Sequence, residues 1–349
     1  MTLEGVTNRL SNNIGNMSIN RLIGRIKLVT DKTPFSADIT EVDGVLMGPW
    51  RSPRQMLGDQ TYDDHASIHD DATAQKLGFQ GGTIEGPTHF SQFSPLGHAA
   101  WGDRFLAQGC LSVHYRNPAF EGERIRACLK RAPDGNHAEI WAEKEDGVEV
   151  LRGSASIGEG PVATALETRL QSLAPLERPV IMADLKVGMT TGRVPVSMAF
   201  DQHMGDLYPF SLEQKLKVIT EPSPWYQGDG TPWGRAIIPF EMLSVLLQYT
   251  ARTGHFPVRE PVVGLFADQE IRLMDGPLFV DEAYEVEREL VALSGSRRTE
   301  SFWVKSRAFR ASDNKLVASM LLNQATLKET YAAYDADYAD LYGADARPA

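Results

Sequence analysis

The hydrophobic pattern of this 349-residue chain changes period several times, and the changes mark its elements. RIKLVT (25–30) and the SADITEVDGVLM run (36–47) read as strands. Pro87 suits the start of a helix, where its missing N–H would have no partner anyway. The following THFSQFSPLGHAAWGDRFL reads as a helix disturbed by Pro95 and Gly97. Four strand-like runs come next: CLSVHYRN, RIRACLKRA, HAEIWAEKE and EVLRGSASI, separated by the turn sequences NPAFEGE, PDGN and EDG. Alternation is clearest in HAEIWAEKE, where Ile140 sits among charged positions.

After GEGP (158–161) and a short helix with linker, ATALETRLQSLAPLERP, the pattern starts again. Pro239 opens FEMLSVLLQYTARTG, with Glu241 in the first turn and Gly254 as a stop. This helix is apolar nearly all round, so something must wrap it on most sides. VVGLFADQEIRLM, EAYEVERELVAL, TESFWVKSRAF and KLVASMLLNQATL then read as strands, and KETYAAYDADYADLYGADARPA as a polar helix fading into a frayed tail. A helix followed by four strands therefore occurs twice. Pro87 and Pro239 are 152 residues apart, and Trp141 and Trp303 are 162 apart in similar strands. An apolar helix followed by an antiparallel meander predicts an α+β unit in which a curved sheet wraps a long central helix; two copies predict two such units side by side. The expected boundaries are residues 1–160 for the first unit, 161–190 for a linker, 191–330 for the second unit and 331–349 for the helical, frayed tail.

The net charge of −11 argues against nucleic acid or an anionic membrane surface as main partner, although a local basic patch could still hold a phosphate. Cys110 and Cys128 form no CxxC pair and fit reduced, intracellular thiols. The first 24 residues contain no continuous apolar core of a secretory signal, and no apolar run approaches the roughly 18 residues needed to span a bilayer. A cytoplasmic enzyme is the expectation. GxSxG, GxxxxGK[ST] and strand-following GxGxxG sequences are absent, which argues against hydride and phosphoryl transfer.

Candidate chemistry concentrates in TYDDHASIHDDATAQKLGFQGGTIEGPTHF (61–90), which packs Asp63, Asp64, His65, His69, Asp70 and Asp71 into nine positions. Such a run can be a solvated acidic loop, a metal site or an acid/base pair. For a metal, His65 and His69 share one face if helical, but HxxxH lacks the glutamate of HExxH and no third ligand is well placed, so no metal is expected. For acid/base work, a carboxylate and an imidazole are suitable because burial brings both toward neutrality.

The segment resembles the MaoC-like (R)-specific enoyl-CoA hydratase/dehydratase family. The residues that carry the resemblance are Asp64-His65-Ala66-Ser67-Ile68-His69, matching Asp-x-Asn-Pro-(Leu/Ile)-His, and Phe79-Gln80-Gly81-Gly82-Thr83-Ile84-Glu85-Gly86, matching Phe-Gly-Gly-x-Ile-x-His-Gly. It covers about residues 62–96; Asn-Pro is replaced by Ala66-Ser67, and the histidine before the helix glycine by Glu85. The resemblance implies a double hot-dog fold. It also implies a lyase that adds water to, or removes it from, an enoyl or 3-hydroxyacyl thioester, with CoA entering only as part of the substrate and no other cofactor. Asp64 and His69 would form the acid/base pair and the Gly86 N–H would donate to the thioester oxygen. Gly82, Ser94 and Arg116 are the candidate substrate-binding residues. No Asp-x4-His precedes Pro239, so one site per chain is expected, with the second unit supplying shape through Trp225, Tyr226 or Trp233. Arg116, Arg124, Arg126, Lys130 and Arg131 could meet CoA phosphates or form a solvated strand face. A hot-dog acyl-CoA thioesterase and a non-catalytic acyl-thioester-binding protein are the competing readings. The partner is an acyl-CoA or acyl-carrier thioester, and both monomer and homodimer are compatible, since two units already form a pseudo-dimer.

Overall fold

The computed structural model describes residues 27–29, 33–60, 67–160, 162–254 and 256–343. Asp64, together with Asp63 and His65, lies outside the described residues.

Twelve strands form one antiparallel sheet. At one edge are β1 (Lys27–Val29), β2 (Ile39–Val42) and β3 (Val45–Met47). The first meander follows: β4 (Gly109–Tyr115), β5 (Ile125–Arg131), β6 (His137–Lys144) and β7 (Glu149–Ile157). The short β8 (Val194–Val196) precedes the second meander: β9 (Gly264–Leu273), β10 (Tyr284–Gly295), β11 (Thr299–Arg310) and β12 (Leu316–Leu327). The spatial order is β1-β2-β3-β5-β6-β7-β4-β9-β12-β11-β10-β8. The two meanders are thus mirror arrangements joined at β4 and β9, where Leu111 faces Ile271 and Val113 faces Gln269. Trp141 in β6 and Trp303 in β11 occupy equivalent strands.

Each meander curls over a helical segment. In the second unit α6 (Phe240–Gln248) is buried at all nine positions, as its uniform apolarity requires. Its large apolar residues each gain about 1.5–3 kcal/mol from burial. In the first unit the expected long helix is divided. Residues Gly86–Gln92 form a 3-10 turn that runs into α2 (Phe93–Trp101). Gly102, at φ 63° and ψ −152°, then breaks the chain before α3 (Asp103–Gln108). Pro95 is tolerated because it falls in the first turn of α2, where no intrahelical acceptor awaits its nitrogen. Gly97 is required by packing, since a Cβ there would come 2.3 Å from the Phe105 ring. Phe105 stacks on Phe240 at 5.2 Å and ties the two units together.

Smaller helices position the loops. They are α1 (Asp71–Lys76), α4 (Ala165–Gln171), α5 (Leu212–Leu216) and α7 (Tyr334–Tyr342). Thr164 and Glu167 form a reciprocal capping box on α4, and Ser211 and Gln214 do so on α5. Among the described residues no helix is long and apolar enough to cross a membrane. The architecture is a double hot-dog fold.

Candidate active site

The acidic segment is organised by its own side chains. Asp70 caps α1 by accepting from the Thr73 N–H at 2.8 Å. The Asp71 carboxylate accepts from the Gly82 N–H at 2.7 Å. Gly82 must be glycine here, because a Cβ would come 2.3 Å from the His69 carbonyl oxygen. That carbonyl accepts from Gln55 Nε2 at 2.8 Å, and the Thr83 N–H reaches the Ile68 carbonyl at 3.1 Å. Ser67 donates to Gln60 Oε1 at 2.7 Å, and Gln60 donates in turn to the Leu207 carbonyl at 2.8 Å, which links this loop to the second unit.

These contacts fix His69 over a cavity of about 590 Å³. The Thr83 carbonyl can only accept, so His69 Nδ1–H donates to it at 2.7 Å. Nε2 is then the nitrogen that carries the lone pair. Burial lowers the imidazole to about 4, partly offset by the Thr83 hydrogen bond, so the ring is neutral near pH 7. His69 therefore presents to the cavity a neutral ring with a hydrogen-bond-accepting nitrogen rather than a cation.

Gly86 also lines the cavity. It opens the helical segment, where an N–H has no intrahelical acceptor and meets the positive end of the helix dipole. Glycine is imposed by Tyr115: a Cβ at 86 would lie 2.6 Å from Tyr115 Cζ. The ring cannot swing away freely. Its hydroxyl donates to Gln269 Oε1 at 2.8 Å, and Gln269 Nε2 donates to Ser244 Oγ at 2.7 Å, which anchors the cavity floor across β9 to α6. Gly86→Ala is expected to lower stability by about 1–3 kcal/mol through overpacking, read by denaturant unfolding, and to displace the amide from its place in the cavity.

The remaining sequence candidates are placed as follows. Arg116 lines the cavity, with its guanidinium held by Glu149 at 2.5 Å. Gly82 and Ser94 stand outside the cavity lining; Ser94 is fully buried on α2. On the basic strand face, Arg124 pairs with Glu145 at 2.6 Å and Arg126 with Glu143 at 2.6 Å. His98 binds Asp103 at 3.0 Å, and His114 binds Asp268 at 2.8 Å, so both are satisfied by neighbouring carboxylates. The second unit does wall the cavity, but not through the aromatic residues expected to do so. Trp225 and Trp233 pack edge-to-face on each other, and Tyr226 is buried beneath. The wall comes instead from Leu207 and Tyr208, the Phe256–Val262 loop, and Leu265, Phe266, Phe302 and Val304.

Two lining residues have no counterpart among the sequence candidates. Glu85 is 6% exposed, and burial raises its carboxyl to about 7. His89 is fully buried and lowered to about 3, mainly by desolvation. The sequence signal for Glu85 was its place where the resembled motif has histidine; for His89, only its position three residues after Gly86.

A cavity at the seam of two hot-dog units, with a neutral imidazole and a helix-opening amide, defines the class of site. Neither a family model nor a curated protein matches the sequence. Solved structures with a similar fold include one described as a putative MaoC domain protein dehydratase from Chloroflexus aurantiacus (13% identity, covering 88% of this chain and 99% of that one, TM-score 0.47). A double hot-dog protein from Mycobacterium tuberculosis is similar at 10% identity, covering 86% and 98%, TM-score 0.47. An acyl-CoA thioesterase II from Mycobacterium marinum is similar at 13% identity, covering 70% and 90%, TM-score 0.40.

Proposed function

We propose that the protein is an acyl-thioester lyase that adds water to an enoyl thioester, or removes it from a 3-hydroxyacyl thioester, with CoA as the carrier. The observation that carries this reading is the half-buried, neutral His69, oriented by the Thr83 carbonyl in the same cavity that Gly86 lines. In hydration, His69 Nε2 takes a proton from water as the water oxygen bonds to the β-carbon. The double-bond electrons move toward the thioester, the Gly86 N–H meets the charge on its oxygen, and the α-carbon then gains the proton taken from water, which restores His69 to its neutral form. Asp64 is assigned the partner role that the motif resemblance implies, sharing the water and the proton transfers with His69. Each positioned acid/base group contributes about 10²–10⁴-fold, and an oxyanion donor about 10²–10³-fold. The mainly apolar wall from the second unit suits an acyl chain.

The test is incubation with crotonyl-CoA and with 3-hydroxyacyl-CoAs. Loss of the enoyl absorbance without release of free thiol is expected. Release of thiol would establish hydrolysis instead, and neither signal would leave binding alone. Asp64→Asn is expected to reduce turnover by about 10²–10⁴-fold, with the unfolding transition unchanged. Full activity in that variant would remove Asp64 from the mechanism.

A further inference from the structure

Glu85 is a buried acid without a structural task. It lines the same cavity as His69 and Gly86, is 6% exposed, and its Oε1 has no hydrogen-bond partner among the described residues. An unpaired buried carboxyl costs stability, and an apolar residue would fill the position at less cost. The nearby buried cation is committed elsewhere: Lys215 on α5 lies 3.4 Å from Glu241 on α6 and 3.1 Å from Thr88 Oγ1. The chain also places Glu85 beside the chemistry. It directly precedes Gly86, and Thr83, two residues earlier, holds His69. Two residues of extended chain span about 7 Å, so Glu85 follows closely on the residue that orients His69, and both side chains border one cavity.

We propose that Glu85 is a further catalytic residue, a neutral carboxylic acid that donates a hydrogen bond to the thioester oxygen alongside the Gly86 N–H. This rests on the thioester reading above. The proton stays on Glu85 throughout; no bond to it forms or breaks, and the proton that His69 takes from water is the one passed on to the α-carbon. As negative charge gathers on the thioester oxygen, an O–H donor in a dry cavity stabilises it, whereas a carboxylate in the same place would repel it. The surroundings keep the acid protonated below about pH 7. Desolvation raises it to about 7, Glu241 adds to the rise and Lys215 opposes it. The arginines that line the cavity, Arg116, Arg252 and Arg288, are not among the charges that move it, and the nearby histidines are neutral near pH 7. His69 and His89 are lowered to about 4 and about 3, and burial holds the Tyr115 phenol well above its usual range.

The experiment compares hydration of crotonyl-CoA by the wild type, E85Q and E85A between about pH 5.5 and 9, the folded state of each being checked by thermal unfolding. Glutamine keeps the shape and a neutral N–H donor; alanine removes the donor. E85A is expected to lower kcat/KM by about 10²–10³-fold and E85Q by about tenfold. The wild-type rate is expected to fall as pH rises through about 7, and this alkaline limb is expected to disappear in E85Q. Equal damage in E85Q and E85A, or a limb that persists in E85Q, would overturn the role of Glu85 as a neutral donor. An active wild type with unimpaired E85A would overturn it as well, while leaving the thioester reading intact. A wild type that neither binds nor hydrates any enoyl thioester would overturn both.

Discussion

His69→Ala is expected to lower kcat for enoyl-thioester hydration by about 10²–10⁴-fold, while the far-ultraviolet spectrum and the unfolding midpoint change little. The imidazole's hydrogen bond is to the Thr83 carbonyl, and the loop that carries it is held by backbone groups and by Gln55, Gln60 and Asp71. Removing the ring therefore removes the base without dismantling its support. The pH profile gives a second, independent check. A base works in its deprotonated form, and burial lowers His69 from 6.5 to about 4. The acid limb of kcat/KM is expected near 4 rather than near 6.5, with activity lost as pH falls through it. The same shift has a consequence for stability. The folded-state value lies below the unfolded one, so the unfolded chain takes up the proton first. Wild type then loses up to about 3 kcal/mol relative to His69→Gln as pH falls from 6.5 toward 4. An acid limb at 6.5, or parallel stability curves for the two proteins, would show that the ring is solvated.

The strands and helices were legible because burial imposes a period on the chain. In β6, Ala138, Ile140 and Ala142 are buried and alternate with residues that reach solvent, as the sequence pattern requires. The continuous apolarity of α6 announced a wrapped helix, and all nine of its residues are buried. The division of the first helix was only partly legible. Pro95 marked a disturbance, but the break at Gly102 depends on backbone dihedrals that the sequence does not display.

At the site, the local motif brought out His69 and Gly86, whereas partners distant in sequence stayed hidden. Tyr115 reaches Gly86 only because β4 runs beneath the helix start, and its anchor Gln269 lies 154 residues away. The arginine-rich strand face, for which a phosphate contact and a solvated face were both open, has cross-strand partners that were hidden for a related reason. In the meander, Arg126 stands directly opposite Glu143, so cross-strand pairing consumes the charge that looked free along one strand. Glu241 was read as an acidic residue suited to a helix start. Its actual partner, Lys215, comes from α5, and no spacing rule connects them.

That pair underlies the second large expectation. Lys215 and Glu241 are each 2% exposed, and the ammonium also donates to Thr88 at 3.1 Å on the first unit's helical segment. One cation thus spans α5, α6 and the cavity-forming helix. Lys215→Met should lower unfolding free energy by about 3–5 kcal/mol, because it leaves a buried carboxylate without its counter-charge. Burial already raises Glu241, and Lys215 is the main influence opposing that rise. The double variant Lys215→Met/Glu241→Leu should recover most of the loss, since removing both charges also removes their desolvation cost. A double-mutant cycle from urea unfolding measures this; additive losses would mean that the two side chains do not interact. The pair also reaches the chemistry, because Lys215 lowers the Glu85 carboxyl. Without the ammonium that acid holds its proton more tightly, so the alkaline limb of activity should move to higher pH in whatever fraction of Lys215→Met remains folded. A limb that stayed in place would sever the electrostatic link between the buried pair and the cavity.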